Sequence, residues 1–160
     1  LYPGSESQLS AAFNWTETDV TNTGANTAAP LSLGRQYVIE NGLPDIKGNV
    51  TFNHQQGPFS GLARLNYYGE YFECHLDSYG GPPPTGCDGL GIDGDAQITF
   101  DFELGYDVTE NVQIALGAQN AFDSYPDENP FATEVGSKYP ATAPAGFLGG
   151  FYYVRARANF

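Results

Sequence analysis

The stretch Ala96-Gln97-Ile98-Thr99-Phe100-Asp101-Phe102-Glu103-Leu104-Gly105-Tyr106 alternates without a break. Ala96, Ile98, Phe100, Phe102, Leu104 and Tyr106 fall on one side, and Gln97, Thr99, Asp101, Glu103 and Gly105 on the other. Successive side chains of an extended chain point to opposite faces, so this pattern predicts a strand with one apolar and one polar face. The same period recurs on both sides of it. Val112, Ile114, Leu116 and Ala118 alternate with Gln113, Ala115, Gly117 and Gln119, and Tyr152, Val154, Ala156, Ala158 and Phe160 alternate with Tyr153, Arg155, Arg157 and Asn159. Upstream, Leu9, Ala11, Phe13 and Trp15 alternate with Ser10, Ala12, Asn14 and Thr16. Val50 and Phe52 alternate with Asn49, Thr51 and Asn53, and Ala63, Leu65 and Tyr67 with Arg64, Asn66 and Tyr68. The fold class is therefore all-β and antiparallel, with about six strands.

The connections carry a second regularity. Gln55-Gln56-Gly57 and Asp107-Val108-Thr109-Glu110 are short turns, whereas Glu17–Asp45, Glu73–Asp95 and Asp123–Gly146 are long and rich in Gly, Pro, Asn and Asp. Short and long alternate, as they do in outer-membrane barrels with tight periplasmic turns and extended external loops. Charge placement agrees. Arg64, Asp101, Glu103, Arg155 and Arg157 share the polar side, and a charge at mid-depth on the lipid side of a barrel costs about 2–4 kcal/mol. These groups are expected to face a lumen and the opposing Phe, Ile, Leu, Val and Tyr to face lipid, with Trp15, Tyr67, Tyr106 and Tyr152 in interfacial girdles. A soluble β-sandwich with one wet face predicts the same alternation but not the loop asymmetry.

Bulk properties narrow the function. The chain of 160 residues carries a formal charge of −13, from 19 acids against six Lys and Arg. That balance argues against nucleic acid as a partner, since phosphate binding needs a positive surface. Aromatics make up 14% and the hydrophobic fraction is only 41%, with no continuous run of the length a membrane helix needs. Leu1 opens without a signal peptide, so the chain reads as a mature or internal segment.

Several motifs then point to one family. Asn120-Ala121-Phe122-Asp123-Ser124-Tyr125-Pro126 resembles the Asn-Leu-Phe-Asp-x-x-Tyr stretch before the last external loop of TonB-dependent receptors, with Ala121 departing from the usual Leu. The tail Gly146 to Phe160 is similar to that family's final strand, and Tyr152, Val154, Ala156, Ala158 and the closing Phe160 match its sorting signal for the barrel-assembly machinery. Glu40-Asn41-Gly42-Leu43-Pro44, Lys47-Gly48-Asn49-Val50-Thr51, Gly57-Pro58-Phe59 and Leu65-Asn66-Tyr67-Tyr68-Gly69-Glu70-Tyr71 also resemble these receptors. The resemblance implies a transmembrane barrel of about 22 strands around a plug domain. It implies uptake of a ferric siderophore, cobalamin or oligosaccharide, energised through TonB. Residues 1–160 would supply the C-terminal part of that barrel, with the plug and N-terminal strands upstream of Leu1. Its partners would be the rest of the barrel and its plug, lipid and lipopolysaccharide. The C-terminus would be periplasmic and the long loops extracellular. A porin, an adhesin or a secreted carbohydrate-binding sandwich is the alternative.

Candidate sites follow from residue type. Cys74 and Cys87, within a Gly/Pro/Asp-rich stretch, read as a disulfide formed in an oxidising compartment. Asp88, Asp93 and Asp95 beside three glycines are a weak calcium candidate, although their spacing fits no calcium loop. On the polar wall, Asp101 and Glu103 on one strand and Arg155 and Arg157 on the next but one flank the small residues Ala115 and Gly117. Strands two apart lie about 10 Å from each other, so a lumen charge layer across those small residues is expected. The three long loops hold 13 of the 19 acids against Arg35 and Lys138, a field that disfavours anionic ligands at the mouth. His54 and His75 read as solitary turn or loop residues. No catalytic constellation and no cofactor site is legible, and the chain is not read as an enzyme.

Overall fold

Every alternating run forms a strand, and the strands pair in the order in which they occur. A computed structural model describes residues 4–24, 30–75 and 81–159. Strands β1 (Ser5–Trp15), β2 (Ile46–Gln56), β3 (Phe59–Tyr68), β6 (Gln97–Thr109), β7 (Val112–Gln119) and β8 (Phe151–Ala158) form one antiparallel sheet. A two-stranded hairpin, β4 (Tyr71–Cys74) with β5 (Gly91–Gly94), stands apart in the connection between β3 and β6. Helices α1 (Leu33–Asn41) and α2 (Ala132–Val135) lie in the first and last long connections. Both short turns sit within a residue or two of their expected places. Gly57 has φ of 55° and precedes Pro58, which closes the β2–β3 turn tightly. The β6–β7 turn follows a bulge between Asp107 and Thr109, and the Thr109 hydroxyl accepts the Asn111 amide at 3.2 Å. β1 and β8 do not pair with each other, so the sheet is open.

The registers line up the apolar residues across the whole sheet. One row runs Leu9, Phe52, Ala63, Phe102, Ala118, Tyr152, and another runs Phe13, Gly48, Tyr67, Ile98. On the other face Ser10, Thr51, Arg64 and Asp101 share a row. Burial runs opposite to polarity. Along β6, Ile98, Phe102, Leu104 and Tyr106 are exposed while Thr99 and Gly105 between them are buried and Asp101, Glu103 and Asp107 are half-buried. Leu104 is 70% exposed, Leu116 58% and Val154 71%, whereas Ala115, on the polar side of β7, is 2% exposed. Among the described residues no helix or second sheet packs on either face of the six strands.

The apolar cluster of buried residues lies in the long connections, which correct the expectation of plain loops. Ser32 caps α1 by accepting the Arg35 amide at 3.2 Å, and the Gly42 amide closes the helix on the Val38 carbonyl at 2.8 Å. Tyr37 and Val38 of α1 pack on Phe72, Cys74 and Cys87, with the Tyr37 and Phe72 rings edge to face at 4.8 Å. Cys74 and Cys87 are bonded, as expected, with their Cα atoms 6.0 Å apart. Phe72 and Cys74 point one way along β4, so Tyr71 and Glu73 point the other, and all four are buried. Glu73 meets Thr142 of the last connection there. The first, second and last long connections thus build a cap in which β4 is the middle layer.

Removing the bridge with Cys74→Ser and Cys87→Ser is expected to cost the cap about 2–4 kcal/mol. Hydrogen exchange checks this: protection should fall across 71–94 and stay unchanged along β6 and β7.

Candidate functional site

The polar face is built from side chains that reach across strands. Asp101 accepts the Asn66 side-chain amide at 2.9 Å and the Asn120 backbone amide at 2.9 Å, and Asn66 also donates to Thr99 at 3.2 Å. Arg64 Nε donates to the Thr51 hydroxyl at 3.0 Å. Two strands away from its own, Glu103 accepts the Tyr153 hydroxyl at 2.6 Å and Arg155 Nη2 at 2.5 Å. Glu103, Gly117 and Tyr153 occupy one row of the sheet, so the Tyr153 side chain crosses β7 at Gly117. A Cβ on Gly117 would stand 2.1 Å from the ring. The glycine is the opening through which β8 touches β6.

Half of the expected charge layer is therefore present. Glu103 and Arg155 pair across β7, but Asp101 and Arg157 do not join them, which corrects the four-residue layer. Asp101 accepts from two amides instead and makes no ion pair with a described residue. Arg157 lies opposite Gln113, which itself donates to Asp107 at 2.8 Å, and it makes no ion pair with a described residue. Towards the long-connection end of the same face, a hollow of about 550 Å³ is lined by Arg64, Asn66, Thr99, Asp101, Gln119 and Phe151 and walled by Ala145, Gly146 and residues 148–150. Its amides, guanidinium and carboxylate offer donors and acceptors together, which suits a polar solute with many hydrogen-bonding groups.

The cap holds a second polar group that sequence reasoning missed. Glu73 Oε2 accepts the Thr142 amide at 2.8 Å and also the Thr142 hydroxyl, while Oε1 lies 3.2 Å from His75 Nδ1. His75 Nε2 meets Asn129 Nδ2 at 2.8 Å, and Phe131 edges the imidazole. Asn129 is buried, as is Glu73. His75 is thus no solitary loop residue. The signal was the spacing Glu73-Cys74-His75, which puts both polar groups opposite the bridging cysteine. Beside them the Tyr71 hydroxyl is buried without a hydrogen-bond partner among the described residues. Burial, then the charges of Glu73 and Asp127, push its pKa up to about 12.

The remaining expectations fall as follows. Asp88, Asp93 and Asp95 do not converge: among the described residues no three acidic, His or Cys groups could hold a metal ion. Asp93 is exposed on β5 between buried Ile92 and Gly94, and the Asp95 amide donates to Asp127 at 2.9 Å. His54 sits on the apolar side near the short-turn end, 2.8 Å from the Ser7 hydroxyl. Tyr152, Val154, Ala156 and Ala158 lie opposite Ala118, Leu116, Ile114 and Val112, and Phe160 lies outside the described residues. No protein-family model, curated protein or solved structure matches the chain.

Substituting Gly117→Ala is expected to displace the Tyr153 ring and break its bond to Glu103. The double variant with Tyr153→Ala should recover most of the loss, because the clash and the bond vanish together. A double-mutant cycle on unfolding stability reads this as a coupling of about 0.5–3 kcal/mol.

Proposed function

We propose that this chain is wall and external cap of a TonB-dependent outer-membrane receptor, with a role in nutrient binding and passage rather than catalysis. The observation that carries this reading is the inverted burial of the sheet. Leu104, Leu116 and Val154 stand exposed in a continuous apolar face while Thr51, Thr99 and Ala115 behind them are buried. A contiguous exposed apolar face of this kind marks an interaction or membrane surface. In a bilayer it is the surface that lipid wets.

Three further features support the same reading. The strands run from 8 to 13 residues, around the roughly 9–11 that cross a bilayer at a tilt. Trp15, Tyr67 and Tyr152 lie near the long-connection ends of their strands, and Tyr106 lies near the other end, its ring 4.9 Å from Phe59. All three long connections emerge at one end of the sheet and both short turns at the other. Six strands fall short of the roughly eight of the smallest common barrels. The sheet therefore requires further strands, with a plug to fill the larger lumen that the family implies. On this reading lipid and lipopolysaccharide cover the apolar face, the cap faces the outside of the cell and the C-terminus is periplasmic. The excess of acids in the cap disfavours anionic cargo.

Placing Arg at Leu116, midway along β7 on the apolar side, is expected to destabilise the assembled barrel by about 2–4 kcal/mol. Arg at Asn53, on the polar side, should change stability by less than about 1 kcal/mol. Denaturant unfolding of the full protein in phospholipid vesicles makes the comparison. Equal effects at the two positions would overturn the membrane assignment.

A further inference from the structure

The hydrogen-bond polarity around His75 is determined by its neighbours. Asn129 Oδ1 is occupied by the Phe131 amide at 2.8 Å, so the side of Asn129 that faces His75 Nε2 is its NH2 group. Nε2 must then accept, which places the imidazole proton on Nδ1, where it donates to Glu73 Oε1. All polar atoms of this chain of contacts are satisfied with His75 neutral. A second proton, on Nε2, would set a donor against a donor.

We propose that His75 and Asn129 form a proton-sensitive latch that releases the segment around α2 from the β4–β5 hairpin on acidification. The groups around His75 assign the effect to that one contact. Glu73 accepts from Nδ1, but it stands on the same short stretch as His75 and meets it whether or not the last connection is docked. Leu90 contributes only its carbonyl, which accepts the His75 amide at 3.1 Å. From the last connection come Asn129 and Phe131, neither of which titrates. Lys138 contributes its carbonyl to the Asn129 amide, while its ammonium is exposed and paired with Glu128 at 2.9 Å. Among the described residues, Asn129 supplies the hydrogen bond to the imidazole that separates docked from released, and it is the bond lost when Nε2 is protonated.

A second anchor limits the movement. Thr142 holds to Glu73 through its amide and hydroxyl, and neither bond involves His75. Protonation frees residues 129–135 between Asp127, which accepts the Asp95 amide at 2.9 Å, and the anchor at 142, so this stretch opens as a flap. The inference rests on the cap alone and does not require the sheet to lie in a membrane.

Nitroxides placed by Asp93→Cys on β5 and Thr133→Cys on α2, both exposed positions, report the flap by electron–electron distance measurement on the full protein. Between about pH 8 and about pH 5, the interval in which histidine takes up its proton, the released population should rise about three- to tenfold, the consequence of one lost part-buried hydrogen bond. A label at exposed Ala141 in place of Thr133 should report no change. His75→Gln should abolish the pH response. Asn129→Asp should reverse it, because a carboxylate facing Nε2 holds the protonated ring and repels the neutral one. Imidazole ¹⁵N shifts add a readout independent of movement: at about pH 8 the proton should reside on Nδ1. A pH response that persists in His75→Gln, one that keeps its sign in Asn129→Asp, or an Nε2-protonated ring at about pH 8 would overturn the proposal.

Discussion

The structure depends on a sheet whose polar face is the more buried one. Backbone pairing alone joins each strand to its neighbours and leaves both faces open. On the polar face, Asp101, Asn66, Glu103, Arg155 and Tyr153 link across strands and shelter the small residues beneath them. On the apolar face, large side chains stand in rows with little above them. Such rows lower the free energy only when an apolar phase covers them. The proposed bilayer supplies it, and the hydrophobic term then acts between protein and lipid rather than within the protein. Cohesion inside the sheet falls to hydrogen bonds and to the fit of rings on small residues.

The cap follows the opposite rule and is built like a small soluble domain. Phe72, Cys74 and Cys87 are buried under α1, a disulfide closes the hairpin, and the helix has a side-chain N-cap and a glycine after its last residue. Two connections that are far apart in sequence share this core, and the last one docks on the other side of β4 through Glu73. A loop of two dozen residues with no structure of its own would have a large entropy to lose on binding anything. Held against a common hairpin, the three connections lose that entropy during folding. The cap can then present a defined surface, with mobility restricted to segments whose anchors are polar and breakable.

The sheet was legible because a period of two is the strongest signal an extended chain can give, and because the chain keeps it over six runs. Strand ends were less so: β2 and β3 extend several residues beyond their alternating cores, since pairing with neighbours holds residues such as Ser60 and Gln55 that carry no pattern. Leu62, on the polar side beside Glu103, breaks the alternation and gave no warning. The cap was mostly illegible. Its helix has only a weakly apolar stripe, and its hairpin strands are four residues long. Both owe their existence to packing against each other, which local sequence does not reveal. Cys74 and Cys87 were readable as a pair from composition. The network of Glu73, His75, Asn129 and Thr142 was not, because its two halves come from positions 54 to 69 residues apart and meet only once the connections are folded.

One device recurs in both halves and explains how elements that are not neighbours become coupled. An antiparallel meander transmits contact only from one strand to the next, so a side chain that is to reach further must cross the backbone of a neighbour. Tyr153 does so at Gly117, and Tyr71 lies over its own cross-strand partner Gly94, where a Cβ would stand 2.1 Å from the ring. In each case the missing Cβ costs a strand some of its intrinsic stability. The ring over the gap restores buried area and carries a hydroxyl beyond the adjacent strand. For Tyr153 that hydroxyl meets Glu103, so β6, β7 and β8 are held at one level by a single side chain. For Tyr71 it lies in the field of Glu73 and Asp127, between the hairpin and the last connection. Gly117 is thus the seat of a ring that fastens β8 to β6, and Gly94 the seat of the Tyr71 ring within the hairpin.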